Sequence, residues 1–419
     1  MNKRKFIKTV SAGLITPSFY QLLDQWNLFL ENESPEAIAR NEEYWAVVRS
    51  GYRLKPDYIN LENGYYCMTP QYTLEKYLDH TKHVNYQASY YMRTVQWKNK
   101  ERSTARLAKL IGANADEVAI TRNTTESLDT IIGGYPWVPG DEAVFAQQDY
   151  GAMRNQFKLM ERRYGIKTRV VSIPNHPEDD EEIISLYEKA ITPKTKLLMV
   201  CHMINITGHI LPIRKICDMA HSRGVDVMVD GAHAIGHIKF DMKELDCDYY
   251  GSSLHKWLSV PLGAGLLYVK KGMAAKIWPM FAEWGAEDDS IKKLNHTGTH
   301  PVHTDLAIND AIDYLNRIGL ERKEARLRYL QHYWTDQVRN HPRINVNTPY
   351  QSHRSCGIAN VGIQGMHGKD MAQRLMEEFQ IWTVGIHEPP VVGCRITPNI
   401  YTTIEELDSF IEALKQLAA

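Results

Sequence analysis

Short apolar runs alternate with helical stretches through the middle of the chain. The helical stretches carry apolar residues on one face, whereas the runs are continuous and short enough to be buried strands. The runs lie at 143–145, 168–173, 196–201, 225–229 and 265–269, and the helical stretches lie at 101–111, 154–164, 181–190 and 213–223. Strands that alternate with helices predict an α/β fold in which a mostly parallel sheet is covered by helices on both faces.

The pattern changes near Thr304. Two long helical stretches come first, then two short apolar runs and a last helical stretch, at 305–318, 322–340, near Ile344, near Ile358 and at 404–417. Long helices followed by short strands predict a smaller α+β domain. We therefore expect a large domain with an N-terminal arm at 31–300, a small C-terminal domain at 301–419, and a separate N-terminal segment at 1–30.

Composition and charge exclude several classes of protein. The 419-residue chain has a formal net charge of -1, so no strong field favours nucleic acid or an anionic membrane as a partner. No apolar run approaches the roughly 20 residues of a membrane-spanning helix. The 6 cysteines form no C-x-x-C pair, and the spacing of His296, His300 and His303 fits no helix face. We expect neither a metal site nor a disulfide framework.

The first residues leave the localisation open. The string KRKFIK at 3–8 precedes a mildly apolar stretch, and it resembles a twin-arginine export signal in which Lys3 replaces the first arginine. On that interpretation the protein is exported to the periplasm. The alternative is a basic amphipathic helix at the start of a cytoplasmic protein.

Two strings carry the candidate chemistry. VMVDGAH reads as a buried strand that ends at Asp230, and GSSLHK reads as a polar loop that places Ser253, His255 and Lys256 within four positions. A lysine can form a Schiff base with the aldehyde of pyridoxal 5'-phosphate (PLP), and a carboxylate at a strand end can pair with the protonated pyridine nitrogen. Hydroxyl and imidazole groups beside the lysine can bind the phosphate. The two strings together predict a PLP site.

A third string, TRNTTE at 121–126, follows a strand-like run and opens a helix. Threonine and asparagine at a helix start are common N-caps. A helix start with free N–H groups and two hydroxyls can also bind a phosphate. Beside the other two strings, phosphate binding by Thr124 and Thr125 is the favoured interpretation.

With these strings the chain resembles the class V aminotransferase family of fold-type I PLP-dependent enzymes, in the branch of isopenicillin N epimerases and cysteine desulfurases. The resemblance runs from about residue 60 to the C-terminus and rests on ITRNTTESL, MINITGHILPI, VDVMVDGAHAIG, GSSLHKWLSVPLGAG, HTGTH and GCRITPNIYTTIEELDSFIEAL. It implies a large domain with a mostly parallel sheet of the seven-stranded type covered by helices, and a smaller C-terminal α+β domain.

The resemblance also implies a role for each candidate residue. Lys256 would be the Schiff-base lysine, and Asp230 would pair with the pyridine nitrogen. The other cofactor contacts would come from Thr124, Thr125, Ser253 and His255 at the phosphate, His233 at the phenolic oxygen, Tyr150 stacked on the ring, and Asn205. Asn205 and Arg395 would bind the substrate carboxylate. Thr299 would reach the phosphate of a neighbouring subunit, which implies a homodimer with shared sites.

Plainer interpretations stay open for five of these residues. Asp230 is also typical of a solvated turn acid, although the apolar run before it favours burial, and Thr299 is also typical of an ordinary loop residue. His233 is also typical of a hydrogen-bonded core histidine, and Tyr150 is also typical of simple packing. Arg395 could be a surface charge, although it lies between apolar positions in the sequence, where an unpaired charge would be costly.

The resemblance implies an enzyme that acts at the α-carbon of a small amino acid or amino-acid-like substrate through an external aldimine. Lys256 would be the general base, and Tyr150 is the candidate acid on the opposite face. Epimerisation or C–S lysis, of the isopenicillin N epimerase type, is the first hypothesis, and aminotransfer is the alternative.

Two further hypotheses are less favoured. Cysteine desulfurases of this branch use a cysteine on a loop before the carboxylate-binding arginine, but 380–393 contains no cysteine. Strand alternation should also turn Cys394 away from the face of Arg395. A PLP-fold binding protein without catalysis would have no physical need to keep Lys256, Asp230 and Arg395 together.

Overall fold

The computed structural model describes residues 19–282 and 285–419. The KRKFIK string, on which the export interpretation depends, lies outside these residues. Within the described ranges, none of the helices is long and apolar enough to cross a membrane.

The helices are distributed along the whole described chain. They are α1 (Phe19–Phe29), α2 (Pro35–Ala39), α3 (Glu42–Ser50), α4 (Gln71–Gln87), α5 (Gln96–Leu110), α6 (Thr124–Gly134), α7 (Gly151–Tyr164), α8 (Asp180–Ala190), α9 (Ile213–His221), α10 (Met242–Leu245), α11 (Val302–Ile318), α12 (Leu320–Val338), α13 (Gly368–Phe379) and α14 (Ile404–Ala418). A π-helical turn, Tyr91–Val95, directly precedes α5.

The strands fall into three sheets. They are β1 (Ile59–Asn60), β2 (Val118–Thr121), β3 (Glu142–Ala146), β4 (Lys167–Val171), β5 (Thr195–Cys201), β6 (Asp226–Asp230), β7 (Tyr249–Ser253), β8 (Gly265–Val269), β9 (Ile344–Val346), β10 (Ala359–Ile363), β11 (Ile381–Trp382), β12 (Val384–Glu388) and β13 (Val391–Ile396).

The largest sheet has seven strands in the order β2-β8-β7-β6-β5-β3-β4. Strands β7, β6, β5, β3 and β4 are parallel to one another, whereas β8 pairs antiparallel with both β2 and β7. This confirms the predicted α/β class with a mostly parallel sheet. Because parallel strands end at one edge, the carboxyl ends of β3, β5 and β6 lie side by side and form the natural place for a site.

The central strands are covered on both faces. On β5, Leu198 and Val200 pack into one apolar cluster, while Leu197 and Met199 pack into the cluster on the opposite face. Both sets are fully buried, which explains why β5 reads as a continuous apolar run rather than an alternating one.

A four-stranded antiparallel sheet, in the order β12-β13-β10-β9, belongs to the C-terminal part. It packs with α12, α13 and α14 around a core that includes Leu330, Trp334 and Phe410. This is the predicted smaller α+β domain; the boundary near residue 300 stays a prediction. The short β1 pairs with β11, so the N-terminal arm also contacts this part of the molecule.

The string GSSLHK differs from its predicted form. It was expected to be a polar loop, but Gly251, Ser252 and Ser253 form the last part of β7, and only the residues after Ser253 leave the sheet. The string forms a strand because β7 pairs with β6 on one side and with β8 on the other. These backbone hydrogen bonds cannot be inferred from the polar side chains.

Candidate functional site

Lys256 follows β7 and directs its amine toward His233. Lys256 Nζ lies 3.2 Å from His233 Nε2. Burial lowers the pKa of Lys256 to about 8; the Asp230 carboxylate opposes this shift, and the Arg395 charge adds to it. With this pKa, a large fraction of the Lys256 amine is neutral at mildly alkaline pH. The neutral amine is the form that acts as nucleophile or base.

Asp230 is the last residue of β6 and is only 4 % exposed. Its Oδ1 accepts a hydrogen bond of 3.0 Å from the N–H of Ala232. Burial raises the pKa of Asp230, against the lowering effects of that hydrogen bond and of the Lys256 charge. A buried carboxyl group is costly unless it has a donor or a cation beside it, and a protonated pyridine nitrogen would supply both.

The ring of His233 has a defined tautomer. Trp257 Nε1 lies 3.2 Å from His233 Nδ1, and an indole N–H can only donate. His233 Nδ1 therefore accepts, and the proton of the neutral ring lies on Nε2, the nitrogen that faces Lys256. Burial, with the Lys256 charge as a second cause, lowers the pKa of His233 and keeps its ring neutral. The Trp257 ring is itself stacked on His237, with ring centroids 3.7 Å apart.

Two of the predicted phosphate-binding residues, Thr124 and Ser253, are in contact at the start of α6. Ser253 Oγ lies 2.9 Å from the backbone N of Thr124 and 2.7 Å from Thr124 Oγ1. Thr125 follows in the first turn of α6, where backbone N–H groups lack helical partners. His255 Nδ1 is buried and has no hydrogen-bond partner among the described residues. A buried imidazole nitrogen without a partner, two positions after Ser253, is a group that a bound anion would satisfy.

These groups together fit PLP. Lys256 offers the amine, Asp230 the buried acid, and His233 an N–H donor, while the start of α6 offers the phosphate cradle. Bound PLP would give the unpartnered nitrogen of His255 a phosphate as hydrogen-bond partner. Its protonated pyridine nitrogen would stabilise the Asp230 carboxylate, whose pKa burial raises.

Arg395 was predicted to bind a substrate carboxylate, and the structure pairs it with a protein carboxylate. Arg395 Nε lies 3.1 Å from Glu62 Oε2, and Arg395 Nη2 bonds to Glu62 Oε1. Arg395 Nη1 lies 3.3 Å from the backbone oxygen of Asn205. Asn205 and Arg395 were each predicted to bind the substrate carboxylate, and the structure places Arg395 against the main-chain oxygen of Asn205. Glu62, 333 positions away in the sequence, was missed.

Two predicted residues lie apart from this group. Tyr150 is the N-cap of α7 and is 48 % exposed; within the described ranges it makes no hydrogen bond or ring contact with Lys256, Asp230 or His233. Thr299 lies in an exposed segment before α11, and the described chain gives its side chain no hydrogen bond. The predicted roles of Tyr150 and Thr299 stay predictions.

The orientation predicted for Cys394 is confirmed. Its side chain is fully buried, and its Sγ lies 3.5 Å from the backbone oxygen of Gly368 at the start of α13. Burial raises the pKa of the Cys394 thiol to about 12, which leaves little thiolate at physiological pH. Arg395, the next residue, faces Glu62 instead.

Comparison with known proteins is consistent across sequence and structure. The family model described as aminotransferase class-V matches residues 67–410. An isopenicillin N epimerase from Streptomyces clavuligerus is 28% identical over 394 residues, which cover 89% of this chain and 98% of that protein.

Two solved structures show the same fold. The apo structure of a cysteine desulfurase from Thermococcus onnurineus NA1 has a TM-score of 0.77 at 22% identity, covering 88% of this chain and 97% of that one. A mutant of C-DES with glycine covalently linked to its PLP cofactor has a TM-score of 0.79 at 19% identity, covering 87% and 98%.

Proposed function

The chain belongs to the class V aminotransferase family, and from this premise we propose that it acts at the α-carbon of an amino acid or amino-acid-like substrate in an epimerase or C–S lyase reaction. It is a PLP-dependent enzyme of that family. One observation carries the proposal: the Lys256 amine, with its pKa lowered to about 8, lies beside the Nε2 of His233 and within the field of the buried Asp230.

When bound, PLP supplies an electron sink that stabilises negative charge at the substrate α-carbon. Asp230 would hold the proton on the pyridine nitrogen, and His233 would donate its Nε2–H to the phenolic oxygen. Lys256 would hold the cofactor and, once its amine is free, would take the α-proton at Nζ. The lowered pKa of Lys256 suits this work, because a base is most useful when it is neutral near the working pH.

The substrate would be oriented by its carboxylate. Arg395 and the adjacent Asn205 would receive this group, since a guanidinium can bind both carboxylate oxygens at once. The phosphate would be held by Thr124, Thr125, Ser253 and His255. With its two ends fixed, the substrate presents its α-carbon to Lys256 in a defined orientation.

Epimerase or lyase chemistry is favoured over desulfurase chemistry by the position of Cys394. A desulfurase needs a thiolate that can reach the substrate sulfur, and Cys394 is buried against α13 with a raised pKa. The isopenicillin N epimerase of Streptomyces clavuligerus, similar over 98% of its length, supports the epimerase variant. An epimerase also needs an acid opposite Lys256, and Tyr150 at the exposed start of α7 is our candidate.

Product analysis in deuterated water tests this proposal. The protein is incubated with a panel of L- and D-amino acids, and the products are analysed by mass spectrometry. Deuterium at the α-carbon of a product with inverted configuration, resolved by chiral chromatography, would identify an epimerase, and pyruvate formed without an amino-group acceptor would identify a β-eliminating lyase. A keto acid that appears only with an amino-group acceptor would identify the alternative, an aminotransferase, and would refute our proposal.

We also propose that the working unit is a homodimer with two shared sites. Thr299 is exposed and lies outside the phosphate cradle of its own chain, as expected if it completes the cradle of a partner. Tyr86, Tyr90 and Trp97 form a run of exposed aromatic side chains on α4, α5 and the turn between them, and such surfaces favour protein contacts.

A further inference from the structure

The Glu62–Arg395 pair is the feature of the site that the proposed roles leave unexplained. Both side chains are largely buried, with 7 % of Glu62 and 9 % of Arg395 exposed. The pair is bidentate, from Arg395 Nε to Oε2 and from Nη2 to Oε1. A buried charge pair of this kind is strongly coupled, because removal of one partner leaves the other charge uncompensated.

Glu62 is held in place by its own segment. The N–H of Glu62 donates to Asn60 Oδ1 over 3.0 Å, and Glu62 Oε1 accepts a second hydrogen bond from the N–H of Tyr65 over 2.9 Å. The backbone around it is bridged to Thr397, the second residue after Arg395. These contacts hold the Glu62 side chain in one position beside Arg395.

The hydrogen-bond inventory of Arg395 leaves two donors unused. A guanidinium has five N–H groups. Glu62 takes the one on Nε and one on Nη2, and the backbone oxygen of Asn205 takes one on Nη1. One N–H on Nη1 and one on Nη2 remain, and two N–H groups on neighbouring nitrogens are what a carboxylate needs for a second bidentate contact.

Gly64 restricts the same guanidinium from another direction. A Cβ at this position would lie 2.9 Å from Arg395 Cζ and 3.0 Å from its Nε. The guanidinium therefore packs directly on the backbone of Gly64, and a methyl group there would have to displace it.

We propose that Glu62 is a positioning residue for the substrate: it fixes the Nε and Nη2 edge of Arg395, so that the remaining Nη1 and Nη2 donors receive the substrate carboxylate. This inference rests on the proposed role of Arg395 and adds the group that makes Arg395 effective. At metal sites, removal of an outer partner that orients a ligand commonly costs about 10- to 100-fold in affinity or activity, and we expect an effect of similar size for Arg395.

The test compares two ligands that differ only in the carboxylate. Glycine and methylamine are titrated into the PLP-loaded protein, and binding is followed by the change in cofactor absorbance. Glu62→Gln removes the charge with little change of shape, and Gly64→Ala displaces the guanidinium with no change of charge. We expect each substitution to weaken glycine binding by about tenfold or more and to leave methylamine binding unchanged.

A double-mutant cycle identifies the route of the effect. Arg395→Ala should weaken glycine binding, and adding Glu62→Gln to it should cause no further loss. Glu42→Gln is the matched control, because it removes the carboxylate that pairs with another buried arginine. That arginine is Arg326, whose side chain is 1 % exposed. That variant should melt earlier than the unmodified protein but bind glycine normally.

The outcomes separate this inference from the function on which it rests. Unchanged or tighter glycine binding in Glu62→Gln, while Arg395→Ala still weakens it, would refute the positioning role alone. Equal losses for glycine and methylamine would also refute it, because they would indicate a general structural defect. Unchanged glycine binding in Arg395→Ala would refute the proposed carboxylate site and the positioning role together.

Discussion

At the scale of single residues, Lys256 and Lys323 need to be distinguished. In the described chain, burial lowers the pKa of each of these lysines to about 8. Lys323 donates a hydrogen bond to the backbone oxygen of Trp257, whereas Lys256 faces the Nε2 of His233. Only Lys256 combines a partly neutral amine with the groups that would hold a pyridine ring.

The lowered pKa of Lys256 predicts how the cofactor-free protein captures PLP. Covalent capture requires the neutral amine, so its rate should rise as the pH rises through about 8 and level off above that. An ordinary lysine, with a pKa of about 10.4, would show no such plateau below about pH 10. The measurement is the rate at which the absorbance of bound cofactor appears, with Lys256→Ala as the control. A rate that is still rising at about pH 10 would contradict the lowered pKa.

Arg395→Ala tests substrate anchoring. We expect amino-acid binding to weaken by about 2–4 kcal/mol, the cost of losing one partner of a desolvated charge pair, while cofactor content stays normal. Because Glu62 would lose its partner, the melting temperature should fall as well. Arg49→Ala, which breaks the more exposed pair with Glu406, is the control and should leave binding unchanged. The same amino-acid affinity in both variants would show that the carboxylate is held elsewhere.

The sequence predicted Lys256 and His233 as contacts of one PLP site, from the strings that carry them; their direct contact is a finding of the structure. Glu62 was not predictable in this way, because its partner lies 333 positions away and no periodicity links a turn residue to a distant strand. Trp257 was passed over for a different reason: a buried tryptophan looks like core, and its hydrogen bond to His233 depends on ring orientation.

At the level of secondary structure, the hairpin of β12 and β13 determines whether the Cys394 thiol can reach a substrate bound at Arg395. Neighbouring residues of a strand face opposite sides, and Cys394 and Arg395 follow this rule. The structure therefore excludes Cys394 from the side of the hairpin on which Glu62 and Arg395 meet.

We predict that Cys394→Ser leaves turnover of any cysteine-like substrate nearly unchanged. Such a substrate should lose its sulfur by elimination, with Lys256 as the base, and end as pyruvate. The measurement is product analysis by mass spectrometry with cysteine as substrate. Alanine as the product, together with loss of activity in the Cys394→Ser variant, would overturn the exclusion of desulfurase chemistry.

Burial explains most of the strand predictions that succeeded, although β4, which was also predicted, is mostly exposed. Strands β3, β5, β6 and β8 were found because they are buried on both faces and therefore read as continuous apolar runs. Helix α4 was missed, since Thr73 is its only buried residue and it has no apolar stripe for periodicity to detect. The polar end of β7 was predicted as a loop because its residues are small and polar and show no apolar pattern, although their backbone pairs within the sheet.

At the scale of the whole molecule, the exposed face of α4 gives a reason to expect a partner. All but one of the side chains on this 17-residue helix are partly or fully exposed, although the helix also packs against α11 within its own chain, and exposed aromatic residues follow along the same region. A second copy of the chain would cover this surface and could bring its Thr299 to the phosphate cradle. In the sequence, a partner was indicated only by the role that the family resemblance implies for Thr299.

Mixing two inactive variants tests the shared site. In a heterodimer of a Lys256→Ala chain with a Thr299→Ala chain, one site carries both changes and the other carries neither. Activity should therefore partly return on mixing. If heterodimers form and activity stays absent, each site is built within one chain and Thr299 has no role across the interface.

Reduction with borohydride tests whether Lys256 is the residue that holds PLP. Reduction fixes the cofactor to its lysine, and peptide mapping by mass spectrometry then identifies that residue. We predict that the label lies on Lys256 and is lost in the Lys256→Ala variant, while Lys323→Met keeps it. A label on Lys323, the other lysine with a pKa lowered to about 8, or on any other lysine would contradict the account.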